Sequence, residues 1–171
     1  MKSNFLTAEC SQRINSIEHG DGGKAEVFQL MKEKGVALCP TLAAGDAILR
    51  YRGWDGSPET EPERIKQKKK SFKLALESGV KILAGGDVGA FEHGENVREL
   101  ELMVEYGMPS MQVLQSVTAV NAEAFHLPEL GRIRKGFLAD IIAVEGNPLS
   151  DISNLRKVRL VMKDGVVYKR P

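Results

Sequence analysis

A histidine and an aspartate occupy matching places in this sequence, each directly after a short apolar run of strand length. His19 follows the run in Ser16-Ile17-Glu18-His19-Gly20, and Asp87 follows the later run Lys81-Ile82-Leu83-Ala84-Gly85-Gly86. Parallel strands joined by helices present their carboxyl ends at one edge of a sheet. We therefore expect the imidazole and the carboxylate to converge there. Such a donor pair suits Zn²⁺ or a similar divalent ion, although two ligands do not complete a site.

The elements between these two residues follow an alternating pattern. Residues 24–34 predict an amphipathic helix that Gly35 ends, and residues 36–40 form a near-continuous apolar run, which is typical of a strand buried on both faces. A second helix, which starts over 60–63 with the spacing of a capping box, runs to residue 78 and ends at Gly79 before the next apolar strand. This recurrence of helix, glycine and strand is the signature of βαβ units.

The segment between the second predicted strand and the second predicted helix is harder to assign. Residues 41–59 are rich in glycine and contain Tyr51 and Trp54, and we expect a long loop there. Such a loop is either a lid over a site or a surface excursion packed by its own aromatic side chains. The pattern does not decide between the two.

The second half of the chain changes character near Gly131. Further helices are expected over 95–106 and within 110–125. Beyond Gly131 we expect strands at 139–144, 158–162 and 166–169, with Asp164-Gly165 as the turn of a hairpin. The chain therefore divides into a poorly defined segment at 1–13, an α/β region at 14–130 and a small β region at 131–171.

Composition excludes several classes of protein. Of the 171 residues, 42% are hydrophobic and 27% are charged, as in an ordinary globular protein. The net charge of +1 creates no strong positive potential that would attract nucleic acid or an anionic membrane. The basic run at 66–70 is expected to be a solvated helix face. Cys10 and Cys39 form no motif, and no apolar stretch is long enough to span a membrane, so we expect a cytoplasmic protein.

Several motifs in order resemble the C-terminal half of the metal-dependent amidohydrolase superfamily, and most closely its imidazolonepropionase-like branch, which includes Xaa-Pro dipeptidases. The resemblance covers about 14–168. The stretches that carry it are the two strand ends above, Gly35 to Thr41, His93-Gly94-Glu95-Asn96-Val97-Arg98-Glu99-Leu100, Thr118 to Ala124, and Gly131 to Pro148.

The resemblance implies a fold. It is the C-terminal half of a (β/α)₈ TIM barrel, with about three parallel strands and their helices, followed by a small C-terminal β-sandwich segment. A complete barrel needs roughly 250 residues, so this chain can hold only part of one. The family's ligands on earlier strands, a His-x-His pair among them, have no counterpart in the sequence.

The resemblance also implies roles. His19 and Asp87 would bind the metal, which is zinc in many members, with one or two ions in the complete fold. Asp87 would also act as the catalytic base, and His93 would contact the substrate. Glycines 85, 86 and 89 beside Asp87 would let a substrate approach closely.

The leading hypothesis is a hydrolase that cleaves dipeptide or non-peptide amide bonds with metal-activated water. The chain would be a fragment of that enzyme, inactive alone, with a small amide-containing substrate. Because a partial barrel leaves open strand edges, we expect self-association or a complementary barrel half. Two alternatives stay open: a non-catalytic scaffold that keeps the fold, and one half of a split amidohydrolase.

Overall fold

Three short parallel segments form the centre of the first region. The computed structural model describes residues 14–171, so the predicted segment at 1–13 and Cys10 lie outside the described residues. Strand β1 (Ser16–Glu18) pairs in parallel with β2 (Ala37–Cys39), and Ile17 lies opposite Leu38. Leu38 also forms a parallel bridge to Ile82. The structure therefore places the ends of three parallel segments side by side.

Helices and a second sheet complete the fold. The helices are α1 (Ala25–Lys34), α2 (Leu42–Tyr51), α3 (Glu63–Ser78), α4 (Val97–Glu105), α5 (Ser110–Gln115) and α6 (Asn121–Ala124). A π-helical segment (Ser116–Val120) joins α5 to α6. The second sheet is antiparallel, in the order β3 (Ile141–Val144), β4 (Val158–Lys163) and β5 (Val166–Lys169). A 3₁₀ turn (Ile152–Arg156) precedes β4.

The core lies between the parallel segments and the helices that cover them. Phe28 and Met31 of α1 and Phe72 of α3 are fully or almost fully buried, and α1 packs on α3. Phe72 meets the Tyr106 ring edge to face, with the centroids 6.4 Å apart. The apolar spacing that predicts these helices is thus also the spacing that fills the core.

The expectation of a long loop over 41–59 is wrong for its first half, which is helix α2. Its first residues, Leu42 and Ala43, are almost fully buried, so the apolar face decides the structure despite Gly45. The turn after α2 is packed by its own side chains. Arg50 lies over the Trp54 ring at 5.3 Å, and the Trp54 indole donates to the Ser57 carbonyl at 3.2 Å.

The edge of the last parallel segment is closed by side chains. Backbone groups of Lys81 and Leu83 bond to Leu38, while those of Ile82 and Ala84 face the other way. Ser116 Oγ donates to the Ile82 carbonyl at 2.8 Å, and Asn121 bonds both the Ala84 amide (3.1 Å) and its carbonyl (2.8 Å). The expectation of an open edge is therefore wrong for these residues.

The π-helical segment explains how both side chains reach that edge. A π turn closes i to i+5 hydrogen bonds, so residues five apart lie near the same face. Ser116 is the first residue of this segment, and Asn121, five residues later, follows its last residue. An ordinary α-helix would turn them to different sides.

The C-terminal region has the three predicted strands, joined as one antiparallel sheet. Val161 of β4 pairs with Ile142 of β3 and with Lys169 of β5. The structure has the 3₁₀ turn where the sequence pattern gave no helix. The sandwich and the domain boundary near 131 stay predictions. Among residues 14–171, no helix is both long and apolar enough to cross a membrane.

Candidate functional site

His19 is held at the end of β1 by its neighbour strand. Its backbone N–H donates to the Cys39 carbonyl at 2.8 Å, and its Nδ1 lies 2.6 Å from Thr41 Oγ1. The Thr41 hydroxyl donates its single proton to the Pro40 carbonyl at 2.8 Å. With that proton directed to Pro40, the hydroxyl can accept from Nδ1–H, and in this tautomer the Nε2 lone pair is available to an electrophile.

Asp87 reaches the same place from the last parallel segment. Both Asp87 and His19 are exposed at the rim, and both line a cavity of about 60 Å³ together with Thr41. The convergence expected from the strand pattern is thus present in the structure. The roles of the two residues as ligands and base stay predictions.

The backbone at all three strand ends is left-handed. His19, Thr41 and Asp87 have φ values of 68°, 48° and 60°. Among residues 14–171 five non-glycine residues have positive φ, and three of them lie here. Positive φ is uncommon outside glycine and is costly for a β-branched threonine. Strain gathered at one rim is typical of a functional site, because surrounding contacts must maintain it.

The glycines before Asp87 have a packing reason, and their expected use in substrate approach stays a prediction. A Cβ built on Gly85 would lie 2.8 Å from Cys39 Sγ, and one on Gly86 would lie 2.9 Å from the Phe91 ring. The space beside these two glycines is therefore filled by the protein's own side chains. Glycine is needed there because the neighbours approach closely.

Charged side chains form one wall of the cavity. Lys68 is buried, and its Nζ donates to the His19 carbonyl at 2.9 Å and to Asp21, which Arg64 also approaches. Burial lowers the pKa of Lys68, while the adjacent Asp21 carboxylate opposes that shift. The prediction that the whole basic run is solvated is therefore wrong for Lys68, because α3 turns this position toward the end of β1.

Cys39 carries a half-buried thiol beside the last parallel segment. Burial, helped by the nearby Glu99 and Glu18 carboxylates, raises the pKa of its thiol to about 12. Its Sγ donates to the Gly85 carbonyl at 3.6 Å. A protonated thiol in this setting acts as a small packing group, as expected from the apolar run around it.

Glu99 is the residue that sequence reasoning missed. It is 1% exposed, its Oε2 accepts the Ala43 backbone N–H at 2.7 Å, and its Oε1 has no protein partner within the described chain. Burial raises its pKa to about 7, against the Ala43 hydrogen bond, which lowers it. A signal was present: Glu99 lies three and four residues before buried Leu102 and Met103, on the apolar face of α4.

Comparison with known proteins decides the family. The model of the amidohydrolase family matches residues 7–168, which is nearly the whole chain. The chain belongs to the amidohydrolase family. Its relatives include the ochratoxinase of Aspergillus niger, which is 32% identical over 178 residues.

Solved amidohydrolase structures share this fold. A Xaa-Pro dipeptidase with bound methionine in its active site has a TM-score of 0.88 and 38% identity over 98% of this chain. The crystal structure of A. niger ochratoxinase has a TM-score of 0.82 and 29% identity over 97% of this chain. This chain spans 36% of the curated ochratoxinase and 43% of the dipeptidase chain.

The side chains present fit part of a divalent-metal site. Amidohydrolases generally use divalent metals. The free Nε2 of His19 and the Asp87 carboxylate are suitable donors for zinc, and they line one cavity. Within residues 14–171 no group of three or more His, Cys, Asp or Glu side chains could hold an ion. The described residues therefore supply two donors where a catalytic zinc takes three from protein.

His93 is placed apart from this pair. It is exposed in the loop between Asp87 and α4, and it is absent from the lining of the His19–Asp87 cavity. Its predicted contact with substrate stays a prediction. Glu18 is also exposed, and its carboxylate accepts a hydrogen bond from Ser16 Oγ at 2.7 Å.

Proposed function

We propose that this chain forms the His19–Asp87 side of a metal-dependent active site that hydrolyses amide bonds. The observation that carries the proposal is the pairing of a histidine whose Nε2 is free with a carboxylate at the rim of the same small cavity. Membership of the amidohydrolase family and the ochratoxinase and dipeptidase relatives support amide hydrolysis as the reaction.

His19 and Asp87 would hold the ion, with zinc as the first candidate. A divalent ion bound there would polarise the scissile carbonyl and acidify the attacking water. Asp87 would take a proton from that water as its oxygen bonds to the carbonyl carbon. The same carboxyl would then give the proton to the leaving nitrogen as the C–N bond breaks, so no serine or cysteine nucleophile is needed.

The substrate class we propose is an amide of an amino acid, as in a dipeptide. Support comes from the neighbour that is 38% identical and holds methionine in its active site. His93, in the loop between Asp87 and α4, would contact the part of the substrate that projects from the cavity.

We further propose that the missing ligands come from a complementary barrel half. The chain spans less than half the length of the relatives above. A cavity of about 670 Å³ is lined mainly by apolar groups beside the Asp87 strand end, including Val117, Ile142 and Leu155. That half would cover this cavity, and the chain alone would be inactive.

Zinc binding by the purified chain tests the site. His19→Ala and Asp87→Ala are each expected to weaken zinc binding about tenfold or more, because each removes one of two donors. Glu18→Ala, an exposed neighbour of His19, is the matched control and should bind like the parent. Equal zinc binding by all four proteins would contradict the proposed ligands.

A hydrolysis assay tests the need for a partner. Dipeptides and cyclic amides are offered to the pure chain with one zinc per protomer. We expect no turnover until a complementary amidohydrolase N-terminal half is added. Turnover by the chain alone, abolished in Asp87→Ala, would keep the active site but overturn the requirement for a second half.

A further inference from the structure

The first turn of α2 has an unusual cap. The first backbone N–H groups of a helix have no partner within it, and a threonine before the helix ordinarily accepts from one of them. Thr41 stands in that place but makes no side-chain cap. Its left-handed backbone, with φ 48° and ψ 52°, differs from the extended form that such capping requires.

Glu99 supplies the missing acceptor from a distant part of the chain. Its Oε2 accepts the Ala43 N–H at 2.7 Å across 56 residues of sequence. Ala43 is the second residue of α2, where the partial positive charge of the helix end favours a carboxylate. Burying a carboxylate is costly unless it is hydrogen-bonded, and the Ala43 N–H supplies such a bond.

The Thr41 hydroxyl is consequently free for other partners. It donates to the Pro40 carbonyl and accepts from His19 Nδ1. We propose that Glu99 is a positioning residue, which caps α2 in place of Thr41 and so leaves the Thr41 hydroxyl to orient His19. This inference rests on the proposed function only in taking the His19 Nε2 as a metal donor.

Glu99 also lies next to the strand end that carries Asp87. A Cβ built on Gly86 would lie 3.4 Å from Glu99 Cβ, so little space separates the two residues. The Glu99 side chain thus lies between the turn after β2 and the residue before Asp87. One buried side chain therefore lies beside the supports of both residues of the candidate site.

The tautomer of His19 in the metal-free chain reports this coupling directly. Long-range ¹H–¹⁵N correlation spectra distinguish Nδ1–H from Nε2–H, and the sequence has 3 histidines, so His19 can be assigned with His19→Gln. At about pH 9 a free imidazole is neutral and its tautomer can be read. We expect the parent to show mainly Nδ1–H.

Two substitutions should change that tautomer. Glu99→Met removes the acceptor at similar volume, and Glu99→Asp keeps the charge but is one methylene too short to reach Ala43 from the same backbone. In both variants we expect the Thr41 hydroxyl to cap α2 and to lose its hydrogen bond with His19 Nδ1. The Nε2–H tautomer of His19 should then predominate. Glu99→Asp decides the question if Glu99→Met fails to fold by circular dichroism.

Two further variants should not change it. Glu99→Gln retains an oxygen acceptor for Ala43, and Glu101→Gln alters a neighbouring carboxylate that bonds Arg156 instead. The proposal is overturned if folded Glu99→Asp keeps the parent tautomer, or if Glu99→Gln loses it as fully as Glu99→Asp. Because neither metal nor substrate is present, this result is independent of the zinc and hydrolysis tests.

Discussion

The α/β region at 14–130 and the C-terminal antiparallel sheet differ in whether they bury polar side chains. In the α/β region, polar groups are buried and used as connections: Thr41, Asp46, Lys68, Glu99 and Ser116. In the sheet β3–β5, apolar side chains are exposed instead: Ile142, Val166 and Tyr168 are 55%, 56% and 72% exposed. Its ion pairs, such as Arg159–Glu145, lie at the surface.

This difference shows where specific contacts determine the structure. In the α/β region the buried Glu99 carboxylate caps α2, and the Asn121 side chain takes the place of a strand partner for Ala84. Removing either side chain leaves a backbone N–H or carbonyl group without its hydrogen bond. The sheet is held by its own backbone ladder, and its surface contacts are screened by water.

The largest expected effect is in the core. Phe72→Ala should reduce the free energy of unfolding by about 3–5 kcal/mol, because it leaves a cavity beneath Tyr106. Tyr168→Ala in the sheet should change it by less than about 0.5 kcal/mol. Urea unfolding with an unchanged m-value measures both. Similar losses in the two variants would remove the distinction between the regions.

The next effect depends on pH. Folding raises the pKa of Glu99 from 4.5 to about 7, because burial favours the protonated carboxyl. The stability that this shift contributes is fully present below about pH 4.5 and is lost as the pH rises through about 7. The parent should lose up to about 3 kcal/mol across that window, at 1.36 kcal/mol per unit of pKa. Glu99→Gln should lack this component of the slope.

Glu101 provides a control of opposite sign for that measurement. The Arg156 hydrogen bond lowers the pKa of Glu101, so its contribution is present above the ordinary value and is lost in acid. Unfolding in urea at several pH values should therefore give Glu101→Gln the same decline as the parent between pH 4.5 and 7. A parent whose stability rises through this window would contradict the burial argument.

A smaller loss is expected at the closed strand edge. Asn121→Ala removes both hydrogen bonds to Ala84 and should cost about 1–3 kcal/mol. Amide hydrogen exchange at Ala84 should accelerate in the same variant. Asn96→Ala, at an exposed asparagine that makes no cap, should leave stability and Ala84 exchange unchanged.

The smallest expected effect compares two sets of ion pairs, those of Arg156, which connect the two regions, and that of Arg159, which lies on the surface of the sheet. Arg156 bonds Glu95 and Glu101, which joins the 3₁₀ turn to the α4 segment. Arg156→Met should cost about 1 kcal/mol after allowance for solvent screening, and Arg159→Met should show no measurable loss. Thermal unfolding of both variants makes the comparison, and a greater loss from Arg159→Met would reverse it.

Local pattern predicted much of the fold. The helices predicted over 24–34, from 60–63 to 78, and over 95–106 agree with α1, α3 and α4 within about three residues, because each has an apolar face that the core needs. Pattern failed at α2, where Gly45 and the nearby aromatic residues favoured a loop. It also failed at Lys68, because a run of lysines does not show which of them faces inward.

The sequence by itself determined the family and the two strand ends that carry His19 and Asp87, because strand and helix periods are local properties of the chain. Only the tertiary structure decided what orients them. The Thr41 hydroxyl is directed to His19 while Glu99 caps α2 from 56 residues away, and a hydrogen bond over that separation depends on packing that no local pattern contains.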